Sequence, residues 1–229
     1  MKVHVNGIDI HYEMDGEGPP ILLLHGNGED HHIFDRLVED LKKERTVYSI
    51  DTRGHGESEK VDSFHYSDMA EDVAAFISEL NLKKPMLYGF SDGGIVGLMV
   101  AAKYRGLLSG LIASGANLTP KDMKWTSRFA MRLTNIAKRD PLVELMIREP
   151  HITDKDLADI DIPVLITIGE KDIISVPHAE HIAETIPDGR LIVVPGENHY
   201  SYIIHSYKLF PLISWFSEQI SSTEEVEDH

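Results

Sequence analysis

The sequence contains no cysteine. Disulfides, thiolate metal sites and cysteine nucleophiles are therefore excluded, and a cytoplasmic location fits. Long hydrophobic runs are missing as well. No stretch approaches the ~20 apolar residues of a membrane helix. The opening residues, Met1 to Asn6, alternate like a strand and lack the apolar stretch of a signal peptide. Positive charge is scarce: 22 Lys and Arg stand against 38 Asp and Glu, a net charge of −16. Such a chain repels nucleic acid and anionic membranes, so neither is expected as a partner. There are no internal repeats.

What remains is 229 residues, 42% of them hydrophobic, enough for one sizeable α/β domain. Two short alternating runs, Lys2 to Asn6 and Ile8 to Glu13, meet at Gly7 as a hairpin. Pro20 to Leu24 is a continuous apolar run of the kind buried on both faces of a parallel sheet. Strands are also expected at Thr46–Ile50, Pro85–Tyr88, Leu107–Ala113, Pro163–Ile168 and Arg190–Val194. Helical spacing links Phe34, Leu37, Val38 and Leu41. It also links Met69, Val73, Phe76, Ile77 and Leu80, with Ser67 as the N-cap. A further helix carries Ala179, Ile182, Ala183 and Ile186, and a closing helix spans roughly 209–220 with Pro211 in its first turn. The pattern implies an α/β fold: a mostly parallel, doubly wound sheet of about eight strands with a leading antiparallel hairpin and helices on both faces.

Between about 117 and 156 no strand is expected. Thr119-Pro120-Lys121-Asp122 reads as a helix start, with an N-cap, proline at N1 and an acid at N3. Phe129, Leu133 and Ile136 form that helix's apolar face, and Asp140-Pro141 opens a second, shorter helix. This piece is a helical cap inserted in a single domain covering 1–229. The acidic tail, 223–229, is expected to be disordered.

The exceptional polar residues fall just after strand ends. His25 to Gly28 follows one strand, Ser91 another, Asp172 another and His199 the last. Gly89-Phe90-Ser91-Asp92-Gly93 fits G-x-S-x-G, a sharp strand-to-helix turn that lifts a serine hydroxyl above the sheet edge. A doubly wound sheet brings the carboxyl ends of its strands to one edge, so a serine, a carboxylate and a histidine can converge there. The imidazole would take the serine proton while the carboxylate orients it. Asp154, Asp156, Asp159 and Asp161 are poorer candidates for the acid because they precede the strand that Asp172 follows.

In these stretches, together with Asp51 to Ser58, Gly169-Glu170-Lys171-Asp172 and Gly196-Glu197-Asn198-His199, the sequence resembles the α/β-hydrolase fold family from Met1 to about Ile220. The resemblance implies that Ser91 is the nucleophile, Asp172 the triad acid and His199 the base. It implies that the backbone N–H groups of Asn27 and Asp92 form the oxyanion hole, and that 117–156 is a short cap over the site. The expected function is a serine hydrolase of small, mainly apolar carboxylic esters working through an acyl-enzyme, with no cofactor. Hydrolysis of C–C, thioester or lactone bonds, perhydrolysis, and non-catalytic binding of small molecules stay open.

Other residues carry smaller expectations. The Asp92 side chain is expected to turn away from the oxyanion and be capped or solvated; turned inward, it would discourage anionic substrates. His25 shapes the oxyanion loop by hydrogen bonding, and Arg53 pairs with a nearby acid. His31-His32 is not expected to bind metal, because adjacent helical residues point to different faces and no third ligand has suitable spacing. Trp125 and Phe129 either line the substrate pocket or anchor the cap to the body.

Overall fold

The structure, a computed structural model, describes residues 1–227. Eight strands form one sheet in the order β1-β2-β4-β3-β5-β6-β7-β8. β1 (Lys2–Val5) and β2 (Ile8–Asp15) make the hairpin, turning at Asn6 and Gly7, both at positive φ. β2 pairs antiparallel with β4 (Thr46–Ile50). All remaining pairings are parallel, through β3 (Pro20–Leu24), β5 (Met86–Phe90), β6 (Gly110–Ser114), β7 (Val164–Gly169) and β8 (Gly189–Val194).

The apolar run of β3 has a direct reason. Leu22 and Leu24 enter one hydrophobic layer, Ile21 and Leu23 the opposite one. A strand covered on both faces cannot alternate with polar residues. α1 (Asp35–Leu41) and α8 (Phe210–Glu227) cover one face. α2 (Tyr66–Glu79), α3 (Asp92–Lys103) and α7 (Val176–Thr185) cover the other. The chain leaves β3 for β4 on one side and returns to β5 on the other. That reversal opens a crevice at the carboxyl ends of β3 and β5, where such sheets bind ligands.

Several boundaries differ from expectation. α2 is capped by His65 rather than Ser67, with no side-chain bond from the cap residue. Glu149, remote in sequence, accepts the Tyr66 N–H instead at 3.0 Å and meets His65 Nδ1 at 2.6 Å. The capping box at Thr119 and Asp122 forms, but it closes only a 3₁₀ turn, Pro120–Asp122. The chain then extends, and Lys124 N–H donates to Ile173 O before α4 (Trp125–Lys138) begins. α5 (Pro141–Arg148) starts at Asp140 as expected, and a short α6 (Asp154–Ala158) follows behind a second capping box at Thr153.

One expectation is overturned. α4 presents its apolar residues outward: Leu133 is 53% and Ile136 79% exposed, and Phe129 is exposed with them. α8 continues to Glu227, into the acidic tail 223–229. No Gly or Pro follows Pro211, and glutamate is a good helix former, so nothing local stops the helix. Residues 228–229 of that tail lie outside the described residues. Among the described residues no helix is long and apolar enough to cross a membrane.

Candidate active site

Ser91 sits between β5 and α3 at φ 51° and ψ −111°, a conformation that a non-glycine residue adopts only under strain. The flanking glycines make the turn possible. A Cβ on Gly89 would lie 2.1 Å from Gly93 O, and one on Gly93 would lie 2.2 Å from Leu24 O. The Ser91 hydroxyl donates to His199 Nε2 at 3.1 Å. His199 Nδ1 donates to Asp172 Oδ1 at 2.7 Å, and that oxygen also accepts the Ile174 N–H at 3.0 Å. Both His199 and Asp172 are buried. A buried carboxylate acceptor at Nδ1 leaves the lone pair on Nε2, facing the serine.

Three strand ends supply this chain: β5 for Ser91, β7 for Asp172 and β8 for His199. The β7 and β8 loops are tied by Lys171 N–H to Glu197 O at 2.8 Å. Phe90 and Tyr200 pack on the His199 ring, with centroids at 5.0 and 4.9 Å. Gly115, just past β6 at φ 63°, leaves the ring its space, since a Cβ there would be 2.7 Å from His199 Cε1.

Asn27 and Asp92 lie beside the serine, and among the described residues neither backbone N–H is given to another protein group. Asp92 is capped as expected, accepting from Tyr66 OH at 2.8 Å and Asn27 Nδ2 at 2.9 Å. It is not solvated. It is buried and belongs to the wall of the pocket above Ser91. Burial raises its pKa, against the pull of those two hydrogen bonds.

That pocket has a volume of about 280 Å³. Phe90, Met123, Met131, Met146, Ile173 and Ile174 give it an apolar wall. Glu29, Asp92 and Glu149 place carboxylates on it. Trp125 and Phe129 take no part; they are 72% and 59% exposed, on the outer side of α4. The inner side offers Ser127 and Met131 instead.

The family model of the alpha/beta hydrolase fold matches residues 19–142. The human protein named serine hydrolase BPHL is 32% identical, over 86% of this chain and 79% of its own length. The chain belongs to the α/β-hydrolase family. A 3-oxoadipate enol-lactonase of Acinetobacter baylyi is similar at 24% identity, over 96% of this hydrolase and 94% of its own length. Among solved structures, a thermophilic esterase from Thermogutta terrifontis superposes with a TM-score of 0.78 at 23% identity, covering 96% of this chain and 99% of that one. The fold is shared with all of them.

The hydrolase steadies the loop after β3 with two imidazoles. His25 Nε2 accepts the Thr52 N–H at 3.0 Å, so its Nδ1 carries the proton and donates to Gly26 O at 2.8 Å. His55 Nε2 accepts the Gly28 N–H at 3.2 Å, and its Nδ1 donates to Arg53 O at 3.0 Å. Burial above all lowers both pKa values, His25 to about 4, so both rings are neutral at pH 7. Arg53 pairs with Asp72 through Nε at 2.6 Å and Nη2 at 2.7 Å.

Glu29, Tyr66, Glu149 and Gly115 carry no motif signal, and sequence reasoning missed them. Glu29 Oε2 accepts the Gly26 N–H at 3.0 Å, and burial pushes its carboxyl up to about 7. Ligand atoms of His11, His31 and Asp51, which are remote in sequence, lie within 4.8 Å of one another, as do those of Asp30, His31 and His32.

Proposed function

We propose that the hydrolase cleaves small, mainly apolar carboxylic esters through an acyl-enzyme on Ser91. The observation that carries this reading is the hydrogen-bonded chain from Ser91 Oγ through His199 to the buried Asp172 carboxylate. In the mechanism, His199 Nε2 takes the Ser91 proton as Oγ attacks the ester carbonyl. Asp172 holds the ring and stabilises the imidazolium. The backbone N–H groups of Asn27 and Asp92 receive the oxyanion. His199 then gives its proton to the leaving alkoxide, the C–O bond breaks, and water activated by the same histidine releases the acid. Segment 117–156 acts as a cap whose inner side selects the substrate. The cysteine-free chain is consistent with work in the cytoplasm.

The carboxylates on the pocket wall argue against substrates that carry their own carboxylate near the reacting carbonyl. The names of relatives acting on oxoadipate and succinate derivatives are therefore poor guides to this enzyme's substrate.

The test is labelling with a fluorophosphonate probe, followed by hydrolysis of nitrophenyl esters of increasing chain length, with thioesters, lactones and amides alongside. Wild type is labelled at Ser91. Ser91→Ala removes labelling and lowers kcat by on the order of 10⁴-fold or more. Turnover that survives in Ser91→Ala sinks the proposal.

A further inference from the structure

One side of α4 shows solvent four large apolar side chains, Trp125, Phe129, Leu133 and Ile136. Among the described residues these are four of the nine large hydrophobic side chains left exposed. Spacings of four, four and three residues stack them in one stripe about 16 Å long. Single exposed apolar residues are ordinary, whereas a continuous row of them marks a contact surface. The stripe does not serve the fold, because the helix packs through its other side. There Met131 lies against the core, and Ser127 and Met131 line the pocket above Ser91.

The charge around the stripe is opposite in sign to that of the whole chain. Residues 121–139 hold six of the 22 Lys and Arg and a single acid, Asp122. Asp122 is engaged in its own capping box, accepting the Thr119 N–H at 2.6 Å and hydroxyl at 2.9 Å. Arg128, Arg132 and Arg139 follow one another at four and seven residues, a row of cations beside the apolar row. Arg132 and Arg139 are exposed. Glu144, which shares their cleft between α4 and α5, is bonded instead to Arg148 at 2.5 Å and Asn135 at 2.6 Å. The net charge of −16 repels an anionic surface from a distance. Salt screens exposed charges beyond about 8 Å, so at contact the local cations decide.

We propose that the outer side of α4 docks the protein reversibly on an anionic lipid surface. Trp125, Phe129, Leu133 and Ile136 enter the boundary with the acyl layer, and Arg132 and Arg139 meet the lipid phosphates. Trp, Phe and Leu on one side of a helix, with basic residues beside them, is the composition of helices that lie in a membrane interface. Guanidinium groups pair with phosphate through two parallel hydrogen bonds. An indole ring suits a boundary that is apolar on one side and wet on the other. A nucleic acid would engage the arginines but give the aliphatic Leu133 and Ile136 no partner. A second copy seated on the same side would bring the same cations to the contact. A lipid surface satisfies both rows. Docking there sets the pocket about one helix diameter, ~10 Å, from the lipid. It does not depend on the ester-hydrolase reading.

The experiment is sedimentation of full-length protein with vesicles of phosphatidylcholine, alone or with about one-third phosphatidylserine, and tryptophan emission read in parallel. Wild type binds the anionic vesicles at least about tenfold more tightly than the neutral ones, its binding weakens in high salt, and its emission shifts to the blue. Arg132→Glu/Arg139→Glu and Leu133→Ser/Ile136→Ser alter only exposed side chains, so both keep the fold by circular dichroism. Each loses at least about tenfold in affinity for the anionic vesicles. Trp125→Phe binds as wild type does and loses the blue shift. The proposal is overturned if wild type binds anionic vesicles no better than neutral ones, or if either double variant, folded, binds them as wild type does. A blue shift that persists in Trp125→Phe also overturns it, since it would put Trp215 rather than α4 at the lipid. So does a dimer in equilibrium sedimentation that Leu133→Ser/Ile136→Ser disperses while wild type leaves vesicles unbound, which would give the stripe to a second copy.

Discussion

At the scale of the residue, Asp92 concentrates two opposed demands. In the proposed mechanism its backbone N–H receives the oxyanion, while its side chain is a carboxylate buried in the pocket wall. The conflict is contained because Tyr66 and Asn27 both donate to the carboxylate. Asp92→Asn can keep these bonds, accepting from Asn27 and donating to the Tyr66 hydroxyl oxygen, so the fold should survive. The expected outcome is a rise of about tenfold in kcat/KM for esters bearing a carboxylate, with neutral esters changed far less. Matched neutral and anionic ester pairs measure this, and an equal change for both would show that the Asp92 charge does not select substrates. The residue after Ser91 was visible in the motif. The direction of its side chain was not, because Tyr66 is 26 positions away in the chain.

At the scale of the element, the cap is where local pattern and outcome part. The periodicity of Phe129, Leu133 and Ile136 does mark one side of a helix. Periodicity defines a stripe, not what the stripe faces. The 3₁₀ turn and the extended link at Met123-Lys124 intervene before α4 starts, and with them the stripe ends up outside. Trp125→Ser/Phe129→Ser should therefore leave stability within about 0.5 kcal/mol of wild type and kcat/KM within about twofold. Met131→Ala, on the inner side, should raise KM for longer acyl chains about fivefold, in line with losing part of a ~1–2 kcal/mol apolar contact. Denaturant melts and an ester chain-length series distinguish the two. A large loss of kcat/KM in the Trp125→Ser/Phe129→Ser variant would mean that these side chains reach the substrate.

At the scale of the whole molecule, global stability should carry opposed pH signatures from the loop after β3. His25 has its pKa lowered from 6.5 to about 4, so its contribution is present above pH 6.5 and is lost as pH falls through 4. Glu29 has its pKa raised from 4.5 to about 7, so its contribution is present below pH 4.5 and is lost as pH rises through 7. Glu29→Gln, whose amide oxygen can still accept the Gly26 N–H, should be more stable than wild type at pH 8 by about 1–2 kcal/mol, a figure discounted for partial solvent access. The difference should vanish near pH 4.5, and unfolding in denaturant across pH 4.5–8 checks it. A constant difference at every pH would point to packing rather than titration. The succession of strands and helices along the chain, the elbow, and the serine, acid and histidine after their strands were all legible in the sequence. Each depends on local rules: apolar runs for strands buried on both faces, glycines where a Cβ cannot fit, and ligand sites at carboxyl ends. The outward turn of α4, the cap that Glu149 supplies to α2, the buried carboxylate of Asp92 and the meeting of His11 with His31 at Asp51 were decided by tertiary structure alone. Each joins residues far apart in sequence, and no local period or motif records which distant group will fill a given space.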